Sequence, residues 1–293
     1  MEKNRILLID GTYLMFKSYY SNFNSNFINK TDNQLQTNGI HVFFTSFFSL
    51  IKNFDFTHCF IAFDHGSKTK RHDTYQDYKA GRIKQPDDLF TQMNHVREII
   101  SLMQLQSLSI DTIEADDLIA SLTEKLKINQ NNEIYIFSGD HDLLQLIDRN
   151  VNVIYTKKGT SGYLTKNLDN FYILHNLNPS QIIEYKGLAG DSSDNLPGIA
   201  GIGEKTAKSL LNKYGTIDNI YLNLDKLTPK TQEKFLKNKQ NAYMCRNLAI
   251  LDRHIDLNIN LNEMKLQLQM NEKLKEKLES LFLKRLALLI EKG

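Results

Sequence analysis

Nine acidic side chains stand in four short groups along the chain: Asp10 with Asp64; Glu114, Asp116 and Asp117; Asp140 with Asp142; Asp191 with Asp194. Taken singly, each has a plain explanation. Asp is a common helix N-cap, and acids in a first helical turn suit the macrodipole. Their placement is less ordinary. Ile6 to Ile9 ends in Asp10, Phe60 to Phe63 ends in Asp64, and Tyr135 to Phe137 leads through Ser138 and Gly139 to Asp140 and Asp142. Carboxylates gathered in one cleft repel each other strongly, so protons or cations must neutralise them. Oxygen donors without a His/Cys set suit Mg2+ or Mn2+ rather than zinc. Two such ions about 4 Å apart serve in-line displacement at phosphorus.

A second set is basic. From Lys68 to Lys84 six cations (Lys68, Lys70, Arg71, Lys79, Arg82, Lys84) face two acids, Asp73 and Asp77. The segment follows directly after Asp64 and therefore overhangs the acidic cleft. With Tyr75 and Tyr78 it suits a single-stranded nucleic acid, cations holding phosphates and rings stacking on bases. Further on, Gly201-Ile202-Gly203 opens a helix at Glu204. Glycines there let a backbone approach phosphate, and a helix N-terminus presents free N–H groups.

The elements that must position these groups follow from the apolar pattern. Ile6–Ile9, His58–Phe63, Glu133–Phe137 and Val151–Tyr155 read as strands of a parallel sheet covered on both faces. Gly39–Asn53, Asp87–Met103, Glu114–Lys127 and His141–Asp148 read as the helices between them, giving a doubly wound, mostly parallel α/β domain. In such sheets the site lies outside the carboxyl ends of the strands. From about Pro179 the pattern is helical, with turns at glycines. In the tail, Asn271 to Lys292 carries a leucine stripe at helical spacing, expected as core packing.

These motifs, in this order and spacing, resemble the bacterial 5′ nucleases: the 5′→3′ exonuclease domain of DNA polymerase I and the flap endonucleases. Ile9-Asp10-Gly11, Phe63-Asp64 with Arg71 and Tyr78 to Arg82, Glu114 to Asp117, Ser138 to Leu146, and Gly190 to Gly198 running into Ile199 to Ala207 carry the resemblance. It covers the chain to about Asp256. It implies a PIN-like core over residues 1–175 with a helical arch at about 65–100. It also implies a helical DNA-binding region over 176–255, with a helix–two-turn–helix at 187–215; beyond it, the leucine stripe gives a tail helix over 256–293. Asp10, Asp64, Glu114 and Asp116 would serve one metal ion. Asp117, Asp140, Asp142, Asp191 and Asp194 would serve another, some through water. Asp64 and Asp116, with Arg71 and Lys79 near the scissile phosphate, would be catalytic.

Lys17, Arg71, Tyr78, Lys79, Arg82, Gly201, Gly203, Lys205 and Thr206 would contact DNA. Backbone carbonyls of Ile199 and Ile202 would hold a monovalent cation, K+. Two departures from the family stand out. Lys17 replaces the usual Arg and loses its bidentate fork, and Lys70 stands where an aromatic is commoner. The implied activity is metal-dependent 5′–3′ exonuclease and flap endonuclease action on DNA in primer removal, replication and repair, by a monomer acting beside a separate polymerase. A PIN-like ribonuclease and a non-catalytic branched-DNA binder are the alternatives, and the duplex-gripping glycines speak against the first.

Composition excludes other classes. The 293 residues carry 41% hydrophobic and 24% charged side chains, enough for a sizeable core. Two cysteines, Cys59 and Cys245, far apart and forming no CxxC pair, give no expectation of a disulfide framework or a structural zinc site. No apolar run reaches a membrane span, and the absence of a signal-like N-terminus leads to the expectation of a cytoplasmic protein. The formal charge is only +2, from 36 bases and 34 acids. Setting the nine proposed ligands aside leaves 25 acids against 36 bases. The near-neutral total thus averages an acidic cleft with a basic surface.

Overall fold

The computed structural model describes residues 3–21, 31, 35–157 and 162–292. In chain order it runs β1 (Asn4–Asp10), α1 (Gly11–Ser21), α2 (Asn38–Phe54), β2 (His58–Ala62), α3 (Lys70–Thr74), α4 (Asp87–Leu102), β3 (Gln106–Leu108), α5 (Ala115–Lys127), β4 (Asn132–Phe137), β5 (Val151–Thr156), β6 (Tyr163–Lys166) and α6 (Leu168–His175). The helical half follows: α7 (Ile182–Ala189), α8 (Glu204–Tyr214), α9 (Ile217–Leu222), α10 (Pro229–Lys237), α11 (Lys239–Ala249), α12 (Glu272–Ser280) and α13 (Lys284–Lys292).

The sheet order is β3-β2-β1-β4-β5-β6. All neighbours are parallel except β6, which returns antiparallel on β5. Strand side chains alternate between the faces. Leu7, Ile9, Cys59, Ile61, Tyr135 and Phe137 join the core under α1, α2 and α4. Ile6, Leu8, Phe60, Ala62, Ile134 and Ile136 join the core under α5. Both faces are dry, which is why these strands read as unbroken apolar runs. Because β1, β2 and β4 are parallel and in register (Asp10 beside Ala62, Ile9 beside Phe137), Asp10, Asp64 and Asp140 emerge from one edge.

The helical half has its own core of Leu188, Ile199, Ile202, Ala207, Leu211, Ile217, Ile220, Phe235 and Ala242. Its tightest turn joins α7 to α8. Gly190 (φ 75°) and Gly198 (φ 60°) lie back to back, and a Cβ on Gly190 would sit 2.4 Å from the Leu196 carbonyl oxygen. Only glycine permits both the positive φ and the approach.

Some elements, α6 (Leu168–His175) among them, were not expected from the sequence. Helix α1 is rich in aromatics, β3 has three half-buried residues, and β6 is a four-residue edge strand. Residues 141–148 form a short 3-10 helix over Asp142–Leu146 rather than a full helix. The expected single tail helix is two. Phe282 adopts φ 55°, and the Leu283 N–H donates to the Leu278 carbonyl at 2.8 Å, a left-handed cap that ends α12. The break turns Phe282 outward and brings Leu283 and Ile290 into the core. The expectation of core packing holds: Leu274, Leu278, Leu281 and Leu286 join the face covered by α2 and α4.

Candidate active site

At the carboxyl edge, Asp10, Thr12, Tyr13, Phe16, Asp64, Lys79, Arg82, Glu114, Asp116, Gly139 and Asp140 line a cleft of about 280 Å3. Local hydrogen bonds aim the acids. The Tyr13 N–H and the Ser138 hydroxyl donate to the two oxygens of Asp10, at 2.8 and 2.9 Å. The Ala115 N–H, at the start of α5, donates to Asp64 at 2.8 Å, and the Asp64 N–H donates to Thr12 at 2.8 Å. The Asp140 N–H returns to Ser138 at 3.0 Å. A Cβ on Gly139 would fall 2.3 Å from the Tyr13 ring, so the turn that presents Asp140 requires glycine. Sequence reasoning passed over Thr12, Tyr13 and Ser138, because their role appears only when two strand ends meet.

Charge crowding shows in the acidities. Burial first, then Asp64, pushes Asp10 up to about 7. Burial, with Asp140, Asp10 and Asp64, holds Asp116 well above the usual carboxylate range. Glu114 goes the other way: burial alone would raise it, but Lys79 and Arg71 hold it below its ordinary value. Its oxygens take Lys79 Nζ at 2.9 Å, Thr69 Oγ1 at 3.0 Å and Arg71 Nη1 at 3.2 Å.

The second acidic group lies beside the first. Lys186 of α7 touches Asp142 Oδ1, lies 2.6 Å from Asp191 Oδ2 and 3.9 Å from Asp194 Oδ2. Burial pushes Asp142 up to about 7 despite Lys186. Burial also raises Asp194. At Asp191 burial is the largest influence, but the Lys186 ammonium and the Ser193 hydrogen bonds together outweigh it and lower the acid. Lys186 escaped the sequence reading because one lysine in a helix normally lies in solvent; this one is 5% exposed.

Asp117 does not join either group. Arg71 holds it with two bonds of 2.7 Å, and the Asp252 N–H donates to it at 2.9 Å. Arg71 also donates to the Leu248 and Ile250 carbonyls. Both side chains therefore anchor the basic segment to the end of α11, where sequence reading placed a ligand and a phosphate contact. Tyr78, expected to stack on a base, is 4% exposed, points its hydroxyl at Glu114 (3.3 Å) and packs with Leu196, Cys245 and Leu248. Lys17 donates to Thr156 at 2.7 Å.

The basic segment crosses between α5 and the 191–196 loop. The Lys79 N–H donates to the Asp194 carbonyl at 3.0 Å, and Arg82 bonds the Asp194 carboxylate at 3.0 Å. Lys79 and Arg82 alone of its basic residues line the cleft. Past the Gly198 turn, Gly201, Gly203, Lys205 and Thr206 are all exposed at the start of α8. The Ile199 carbonyl accepts from the Ile202 N–H at 2.9 Å, and Lys234 Nζ donates to the Gly201 carbonyl at 2.8 Å.

Among the described residues no three His, Cys, Asp or Glu side chains are preassembled around one point. The donor set still fits hard divalent ions. It is all oxygen, and Asp10, Asp64, Asp116 and Asp140 have no ion-pair partner among the described residues.

Fold and site together define an α/β nuclease whose acidic centre sits at the carboxyl edge of a doubly wound sheet. The chain belongs to the 5′-3′ exonuclease family: residues 5–172 match its N-terminal resolvase-like domain and residues 177–273 its C-terminal SAM fold. It is 38% identical to a 5′-3′ exonuclease of Mycoplasmopsis pulmonis (strain UAB CTIP), covering 95% of this chain and 91% of that one. It is 35% identical to a 5′-3′ exonuclease of Bacillus subtilis (strain 168), covering 93% and 91%. DNA polymerase I of Lactococcus lactis subsp. lactis (strain IL1403) is 36% identical, over 89% of this chain and 30% of that protein. The fold is that of the bacteriophage T5 D15 protein crystallised with metal ions (TM-score 0.68, 19% identity, 99% and 98% covered). The catalytic core of Rad2 in complex with DNA substrate shares it (TM-score 0.61, 14% identity, 99% and 92% covered). The chain is thus a 5′-3′ exonuclease. No described helix is long and apolar enough to cross a membrane.

Proposed function

We propose that this exonuclease acts on DNA at 5′ single-strand/duplex junctions, cutting flaps as well as trimming ends, with two Mg2+ or Mn2+ ions. The observation that carries the reading is the unpaired quartet Asp10, Asp64, Asp116 and Asp140 in a cleft bordered by Lys79 and Arg82. Asp142, Asp191 and Asp194 form the second ligand group, and Glu114 orients Lys79. When bound, the ions supply an activated water and offset charge on phosphate oxygens. The chain's own part is orientation. Lys79, fixed by Glu114, places an ammonium at the cleft where the phosphate becomes more negative. Arg82 is 55% exposed along its side chain and adds a second cation on the same side. Exposed Gly201 and Gly203 and the N–H groups opening α8, with Lys205 and Thr206, suit a duplex backbone read by shape. A K+ ion on the Ile199 and Ile202 carbonyls belongs to the same reading, beside the charge that Lys234 already brings to Gly201. The unit works as a monomer, supplying a separate polymerase with cleared template in primer removal and repair.

The test is cleavage of a 5′-flap duplex beside an RNA hairpin, with and without EDTA. Cleavage of flapped DNA that EDTA abolishes and Asp64→Ala lacks is the expected result. Metal-independent cutting overturns the reading, and preference for the hairpin favours a ribonuclease.

A further inference from the structure

Lys186 sits on the last full turn of α7, and its carbonyl accepts the Gly190 N–H that ends the helix. The chain then turns sharply, so Asp191 and Asp194 come back over the lysine's own side chain. The result is one buried ammonium against three buried or half-buried carboxylates: Asp142 in contact, Asp191 at 2.6 Å and Asp194 at 3.9 Å. These three are the second ligand group of the proposed function, on which this inference rests. The first group differs. Among the described residues, Asp10, Asp64, Asp116 and Asp140 have no ion-pair partner.

A buried cluster of carboxylates needs protons or positive charge whether or not a metal is bound. An ammonium on a flexible four-carbon stem supplies it as a movable point charge. We propose that Lys186 is the resident cation of the Asp142–Asp191–Asp194 group, occupying in the metal-free protein the place a second divalent ion takes, and leaving when that ion binds. The lysine thereby makes the two ions unequal. The first group takes its ion without displacing anything, while the second ion must expel an ammonium already paired with its ligands. It also keeps the 191–196 loop seated on the core before metal arrives, through Asp191 on one side and Asp142 on the other. Lys186 is a positioning residue in this scheme, acting through the ligands it holds.

The test is calorimetric titration of the whole chain with Mn2+, without DNA, for wild type, Lys186→Met and Lys186→Arg. Wild type binds two ions in separated steps. Lys186→Met tightens the second step by about tenfold or more and leaves the first within about twofold, since removing one neighbouring positive charge acts on the adjacent ion. Lys186→Arg keeps the second step weak. A second step in Lys186→Met that is unchanged or weaker overturns the inference.

Should the methionine variant not fold, the wild-type protein answers by nitrogen-15 NMR of its lysine ammonium groups during Mg2+ titration. The buried Lys186 signal is expected to hold through the first equivalent and to shift or vanish with the second. A Lys186 signal unmoved while two ions bind overturns this inference alone. Failure to bind any divalent ion overturns the metal reading itself and this inference with it.

Discussion

Asp116 lies among Asp10, Asp64 and Asp140 with no ion-pair partner among the described residues, while Asp117, one residue on, is locked by a bidentate Arg71. Neighbours in sequence, the two have opposite energetics. Asp116→Asn removes a repelled charge and should stabilise the metal-free protein by about 1 kcal/mol, a Tm rise of roughly 2–4 °C. The same change should cost about a hundredfold or more in cleavage rate. Thermal unfolding in EDTA paired with a flap assay checks both. Arg71→Met strands a buried carboxylate and should cost about 3–5 kcal/mol in urea unfolding. Arg71→Lys keeps the charge but not the fork, and should recover only part of that loss. Equal stability of wild type and Arg71→Met would show that the Asp117 pair is not an anchor.

At the scale of elements, the tail helices act as part of the sheet domain. Leu278, 1% exposed, packs in the core that α2 and α4 build on β1 and β2. Leu278→Ala should cost about 2–5 kcal/mol. Leu288, 54% exposed on α13, provides the control, and Leu288→Ala should stay within about 0.5 kcal/mol. Chemical denaturation of the two variants separates a core role from a surface one. The leucine stripe was legible in sequence because spacing encodes a face. The break at Phe282 was not, because its left-handed cap uses no glycine and is stabilised by where Leu283 can bury itself.

For the whole molecule, charge distribution matters more than the total of +2. Exposed Lys205 and Thr206 open α8 on the expected DNA side, whereas Lys273 lies beside Leu102 and Gln104, at the opposite, amino-end edge of the sheet. Lys205→Ala should weaken binding to any DNA sequence and lower the log–log salt slope by about one. Lys273→Ala should leave the slope as it is. Fluorescence anisotropy on a flapped duplex across a salt series measures this, and equal slopes for the two variants would remove α8 from the DNA surface.

Much of this protein was readable from sequence alone. Dry parallel strands must be apolar on both faces, and carboxylates gathered at strand ends and helix starts need protons or cations, so an acidic edge of nine side chains could be expected; that Glu114 is held by Lys79 and Arg71 while Asp140 joins the unpaired Asp10, Asp64 and Asp116 could not. The order of the motifs led to the family. The partners of each charge were not readable. Whether Arg71 faces a phosphate or Asp117, whether Tyr78 stacks on a base or closes over Glu114, and whether Lys186 lies in solvent or among three aspartates are decided by contacts between segments far apart in the chain. Burial and pairing energies depend on distances that only the packed helices and the turn at Gly190 and Gly198 set. The tertiary structure therefore decided which carboxylates are unpaired, which are anchored and which already face a buried ammonium.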